Sequence, residues 1–178
     1  MTLYTIGHST RSLDDFIALL TAHRVAQLAD IRTIPKSKRH PHFAGEALAV
    51  SLPAAGIAYR HFPGLGGLRK PRRDSRNGGW RNDSFRGYAD YMQTDEFEHA
   101  LKDLVAWSDA GARLSSGTAI MCAEAVWWRC HRQLVSDALV ARGHDVRHIS
   151  SATSAPLHSL TDFARVGPDG RVTYPGLL

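Results

Sequence analysis

Cysteine is scarce in this chain: 178 residues hold two, Cys122 and Cys130, eight positions apart. A lone close pair cannot build the bridged framework of a small secreted domain. Long apolar runs are missing too, and nothing approaches the roughly 20 residues that cross a bilayer. The start, Met1-Thr2-Leu3-Tyr4-Thr5-Ile6, is too short and lacks the basic flank of a signal peptide. A cytoplasmic protein with no membrane contact is the expectation. No internal repeat occurs, which excludes solenoids and arrays. No dinucleotide fingerprint occurs either. Gly64-Leu65-Gly66-Gly67 lacks the G-x-G-x-x-G spacing and does not open a helix. A nicotinamide or flavin is unsupported, and no cofactor is expected.

What is present is an alternation of short apolar runs and amphipathic segments. Strands are expected at Leu3 to Ile6, Val25 to Ile31, Ile57 to Phe62, Thr118 to Met121 and Val146 to Ile149. Between them, Leu13, Phe16, Ile17 and Leu20 form one helix face behind Ser12 as a cap. Further helices are expected at Ala44 to Ala55, Ser84 to Met92, Thr94 to Trp107 and Cys130 to Ala141, the last ended by Gly143. Pro168-Asp169-Gly170 marks a final hairpin. The expected fold is α/β: a single three-layer domain, 1–178, with a mainly parallel sheet of about five strands flanked by helices.

The formal charge is +5, which permits an anionic partner without requiring one. Its distribution says more. Lys36, Lys38, Arg39 and His40 form one cluster. Arg69, Lys70, Arg72, Arg73, Arg76 and Arg81 lie in a Gly/Pro-rich segment that cannot be regular structure. A basic, mobile loop at about 68–83 is expected, either merely solvated or a flap over a phosphate or nucleic-acid backbone.

The densest chemistry lies in Met121-Cys122-Ala123-Glu124-Ala125-Val126-Trp127-Trp128-Arg129-Cys130-His131-Arg132. It follows a strand and precedes a helix, where open α/β folds place binding sites. Other polar residues recur where strands stop: His8 and Ser9, Asp30 and Arg32, Tyr59 and His61, and His148. In a parallel sheet these ends share one edge. Cys122 is the leading nucleophile, since a helix N-terminus and arginines favour thiolate; its competing reading is a packed thiol. Cys130 reads as packing or a resolving thiol. Glu124 is a candidate acid or base, or a helix cap.

Three templates compete. A phosphatase- or rhodanese-like loop needs a closer cysteine–arginine spacing than Cys122 to Arg129, and glycines where Trp127 and Trp128 stand. A metal site from Cys122, Glu124, Cys130 and His131, with His8 or Asp30, has suitable ligand types but not zinc-knuckle spacing. Acid/base or nucleophilic chemistry on a planar anion suits the set best, with Trp127, Trp128, Tyr59 or Phe85 stacking and arginines holding phosphate. Phe85, Tyr88 and Met92 share a helix face that is either core or pocket wall.

These pieces together resemble the bacterial and archaeal family DUF488. The resemblance is carried by Thr5-Ile6-Gly7-His8-Ser9, by Asp30-Ile31-Arg32 with Pro35 and Ser37, and by Tyr59-Arg60-His61. Leu65-Gly66-Gly67, Gly87-Tyr88-Ala89-Asp90-Tyr91-Met92, Met121-Cys122-Ala123-Glu124 with Cys130-His131-Arg132, and Arg147-His148-Ile149 complete it. It implies a compact α/β domain with its motif residues at one site, and no substrate.

The expected function is an enzyme on a nucleotide or nucleic-acid-like anion. Cys122, Glu124, His131, His8 and Asp30 would carry or assist the chemistry. Ser9, Arg32, Ser37, Lys38, Tyr59, His61, Gly66, Gly67, Arg69, Trp128, Cys130 and Arg132 would bind. The rivals are a non-catalytic nucleic-acid-binding module and a metal- or thiol-dependent redox protein. The oligomeric state is left open.

Overall fold

The computed structural model describes residues 2–112 and 117–176. The chain runs β1 (Thr2–Gly7), α1 (Leu13–Ala22), β2 (Val25–Asp30), α2 (Gly45–Ala54), β3 (Ala58–His61), α3 (Asp83–Tyr91), α4 (Asp95–Ala112), β4 (Gly117–Cys122), α5 (Arg132–Val140) and β5 (Asp145–His148). Two short strands, β6 (Arg165–Val166) and β7 (Val172–Thr173), form the expected antiparallel hairpin.

The main sheet is all parallel, in the order β3-β2-β4-β1-β5. Side chains on its strands alternate between two cores, as a period of two dictates. On β4, Ala119 and Met121 join Phe16, Leu20, Leu48 and Leu52 of α1 and α2 on one face. Ile120 joins Tyr88, Leu101, Leu104, Leu134 and Val135 of α3, α4 and α5 on the other. The result is the three-layer α/β domain expected. Ser12 caps α1, its side chain accepting from the Asp15 amide. Thr94 serves α4 likewise, accepting from the Phe97 amide.

The strand order positions the site. β4 inserts between β1 and β2, so the C-terminal ends of the three lie side by side. Their pairing continues past the strands: the His8 amide donates to the Cys122 carbonyl, Ser9 to Ala123 and Ile31 to Met121. Three loops are thereby locked at one edge, where ligands enter open α/β sheets.

The basic segment before α3 contains neither helix nor strand. It is tied to the body through Asp90. That buried carboxylate accepts from the Arg72 amide, Ser75 Oγ and Asn77 Nδ2 at 2.8, 2.6 and 2.8 Å. Asn77 in turn accepts from the Tyr174 amide. Lys70, Arg73, Arg76 and Arg81 remain exposed. Among the described residues no helix is long and apolar enough to cross a membrane.

Candidate active site

A cavity of about 310 Å³ opens at this sheet edge. His8 comes from the end of β1, Arg32 to Ser37 from the loop after β2, and Cys122 to Glu124 from the end of β4. Cys130 and His131 come from the start of α5, and Gly67 and Leu68 from the basic segment. Close approach of the loops requires small residues. A Cβ on Gly7 would run into the Glu124 carbonyl, and one on Gly67 would sit 3.0 Å from His131 Nδ1. Ser9 and Leu68 both hold left-handed backbone, φ 50° and 61°, which non-glycine residues rarely adopt.

On one wall Asp30 is fully buried and accepts four hydrogen bonds. Arg32 donates Nε to Oδ1 at 2.9 Å and Nη2 to Oδ2 at 2.6 Å. The Arg32 amide and Tyr59 hydroxyl supply the others, at 3.1 and 2.8 Å. His61 Nε2 donates to the Arg32 carbonyl at 2.7 Å. Arg32 Nη1 lies 3.4 Å from His8 Nε2. His8 donates Nδ1–H to the Ser9 carbonyl, which fixes its tautomer and makes Nε2 the acceptor. It stacks on Phe43 at 4.4 Å. Burial, and then the Arg32 charge, lower its pKa to about 4, so it is neutral.

The other wall holds the thiols. Cys122 and Cys130 are both reduced and buried. Interaction with Cys122 lowers the Cys130 pKa, with His131 and Arg132 adding to it, while burial opposes. Burial raises Cys122, and the Cys130 charge raises it further. Cys130 is thus the thiol held low and Cys122 the thiol held high. His131 Nδ1 lies 3.5 Å from Cys130 Sγ, and its Nε2–H donates to the Ile31 carbonyl at 2.9 Å.

Arg132 lies behind the pair, 2% exposed. Its Nε donates to Cys122 Sγ at 3.0 Å, Nη1 to Thr5 Oγ1 at 3.4 Å, and Nη2 to the Glu124 carbonyl at 2.5 Å. Among the described residues no carboxylate lies within 4.0 Å of it. A buried guanidinium needs a counter-ion. The thiol pair is the group placed to supply one.

The expected residues divide by this geometry. His8, Arg32, Ser37, Gly67, Cys122, Glu124, Cys130 and His131 line the cavity. Lys38, Tyr59 and His61 line a neighbouring cavity of about 590 Å³, which shares Lys36 and Ser37 with the first. Asp30, Ser9 and Arg132 stand behind lining residues. Gly66 is buried against Thr33. Arg69 lies over the Tyr91 ring at 3.6 Å. Trp128 is 55% exposed and packs edge-on against Trp127. Phe85 and Tyr88 wall a third cavity of about 320 Å³ beside Cys130 and His131, while Met92 is core. The expected site omitted Thr33, Ile34, Lys36, Leu68 and Ala123 of the main cavity, Lys36 having been read only as part of a basic cluster. A run of lysines after a strand end was the available signal for the first two; nothing local marked Leu68. Among the described residues no three His, Cys, Asp or Glu side chains gather to hold a metal ion.

A family model described as a domain of unknown function, DUF488, matches residues 12–139. Thr5 to Ser9 and Arg147 to Ile149 fall outside that match. No curated protein and no solved structure matches the chain significantly.

Proposed function

We propose a function from the site itself, because the chain belongs to the DUF488 family and that family's description names no activity. The reading is a thiol-dependent enzyme acting on a nucleotide-like anion. Cys130 is the nucleophile, His131 its partner, and Ile31 the group that orients the imidazole. This is the nucleophile–base–orienter sequence of covalent catalysis. The observation that carries it is the Cys130–His131 contact at the mouth of a cavity, with the Arg132 charge buried behind it.

The cavity favours an anion with an apolar face. Lys36 lines it as a cation, and Arg32 offers Nη1 while its other nitrogens are held by Asp30. Ile34 and Leu68, 60% and 85% exposed, offer apolar surface on which a base can lie. Neutral His8 accepts from Arg32 Nη1 through Nε2, which leaves Nη1 one N–H for an incoming anion. Cys130 Sγ bonds to an electrophilic centre of the anion as that centre's bond to its leaving group breaks, the thiol proton passing to His131 and on to the leaving group. Glu124, exposed at the rim, then takes a proton from the water that displaces the thiol.

The test is binding of nucleoside monophosphates, nucleoside diphosphates and a single-stranded oligonucleotide, at low and moderate salt. Salt-sensitive binding that Lys36→Ala weakens, and a covalent adduct that Cys130→Ser abolishes, are expected. Absence of binding to the whole panel would overturn the nucleotide reading. Binding without any adduct or turnover, untouched by Cys130→Ser, would favour a non-catalytic nucleic-acid-binding module working through the basic segment.

One observation favours a second reading. Two reduced thiols line the same cavity and can be oxidised to a disulfide, so a dithiol redox protein uses the same pair. Thiol counting before and after mild oxidation separates the two: loss of both thiols with return on reduction supports it.

A further inference from the structure

Two buried histidines and a buried aspartate have no part in the reaction proposed above, yet they connect to it. Asp137 of α5 is fully buried. Its Oδ1 accepts from His158 Nε2 at 2.8 Å and from the Thr161 amide at 3.0 Å. Its Oδ2 accepts from Tyr174 at 2.8 Å and from Thr161 Oγ1 at 2.7 Å. His158 Nδ1 meets His148 Nε2 at 2.9 Å. His148 Nδ1 meets Thr5 Oγ1 at 2.7 Å, and Thr5 Oγ1 meets Arg132 Nη1 at 3.4 Å. Both ends lie on α5. The chain leaves at Arg132, crosses β1, β5 and the segment after β5, and returns at Asp137.

Its polarity follows from its ends. A guanidinium only donates, and a carboxylate only accepts. One assignment that satisfies every link has each group between accept from the arginine side and donate toward the aspartate. Both histidines are then neutral, each with its proton on Nε2. Burial lowers the His148 pKa to about 3, with the nearby His158 and Arg132 adding to it, in keeping with a neutral ring. Trp127 lies flat on His148, with centroids 4.1 Å apart and planes 5° apart, and meets His158 edge-on at 5.0 Å.

We propose that this chain is a positioning device: Thr5, His148, His158 and Asp137 fix the rotation of Arg132 so that Nε faces Cys122 Sγ. The chain carries no proton to the thiols, because an arginine that stays protonated breaks any relay at its first link. What it transmits is orientation. With Nη1 held by Thr5 and Nη2 by the Glu124 and Ala125 carbonyls, Nε has one direction left, toward the sulfur. The consequence for thiol acidity rests on the function proposed above; the holding of Arg132 does not.

Thr5→Val keeps the strand-compatible shape and deletes the hydroxyl; Thr5→Ser keeps the hydroxyl. Two signals are read. The first is the arginine Nε–H resonance of Arg132 and its exchange with solvent. Protection is expected in the wild type and in Thr5→Ser, with at least a tenfold loss in Thr5→Val. Unchanged protection in Thr5→Val overturns the proposal. The second is the pH profile of Cys130 alkylation, whose inflection is expected to move up by about one pH unit in Thr5→Val, a tenfold change in acidity. Loss of Nε–H protection without change in alkylation upholds the positioning and overturns the thiolate reading. A measurement on the unaltered protein stands beside these. Nitrogen–proton correlation spectra should show His148 and His158 both as Nε2–H tautomers, and an Nδ1–H form of either overturns the proposal.

Discussion

Arg32 and Arg132 are both buried beside the thiol cavity, and they are held in opposite ways. Arg32 meets a carboxylate with two parallel hydrogen bonds, so its charge is cancelled where it stands. Arg132 meets a sulfur, a hydroxyl and two carbonyls, none of which carries a fixed charge. The first arrangement builds a rigid wall with one free N–H edge for an incoming group. The second leaves a positive charge in a dry place, and the nearest group able to become negative is the thiol pair. The difference between the two arginines therefore separates binding from activation.

The largest effect should come from splitting the cancelled pair. Arg32→Met leaves Asp30 buried with no cation, and about 3–5 kcal/mol of stability should be lost. Adding Asp30→Asn removes the orphaned charge and should recover most of that. Urea unfolding of the single and double variants measures both. A single variant within about 1 kcal/mol of wild type would mean that Asp30 takes up a proton at little cost, and the wall is not the ion pair described.

Arg132→Met orphans no carboxylate, so its stability cost should be smaller, about 1–3 kcal/mol for the hydrogen bonds removed. Its chemical cost should be greater. Without the guanidinium, the inflection of Cys130 alkylation against pH should move up by about one pH unit or more, whereas Arg32→Met/Asp30→Asn should change it little. Equal reactivity in both variants would erase the distinction between the two arginines.

Each arginine also has a neutral histidine beside it: His8 at Arg32, and His148 one hydroxyl away from Arg132. The His8 pKa is lowered from 6.5 to about 4, and that of His148 to about 3. A base whose folded pKa is depressed binds more protons when unfolded. Its share of stability is present above about pH 6.5 and is lost as pH falls toward the folded value. The protein should weaken from about pH 6.5 toward 3. His8→Asn should flatten the upper part of this fall. Urea midpoints from pH 7.5 to 4.5 check it, and a midpoint independent of pH would show that neither ring is held neutral.

Much of the arginine contrast was out of reach of the sequence, for a physical reason. The fold itself was legible. Apolar runs of four to seven residues alternating with amphipathic helices specify a parallel three-layer domain, and the strand-end cluster followed from it. Asp30 and Arg32 sit two residues apart, so a local reading could pair them. Arg132 finds Thr5, far along the chain, and reaches Asp137 through residues of β5 and the tail. His158 lies in a segment with no periodicity and carried no signal at all. The surroundings of the thiols were also hidden. Cys122 looked activated because arginines follow it in sequence. In space Cys122 is the more enclosed thiol, and Cys130 has the histidine.

The smallest effect should come from Tyr59→Phe. Its hydroxyl is one of four donors to Asp30 and lies outside the main cavity. Removing it leaves Arg32 bidentate on the carboxylate, so about 1 kcal/mol should be lost. Thiol alkylation should be unchanged at every pH, since the Asp30 wall is electrically closed and the Arg132 side is untouched. The same deletion of one hydroxyl on the other side, at Thr5, is expected to move the thiols and not only the stability. Measured side by side, the two deletions compare a hydrogen bond to a cancelled charge with one to an uncancelled charge. A thiol response to Tyr59→Phe as large as that to Thr5→Val would mean that the two walls are coupled through His8 and that neither arginine acts alone.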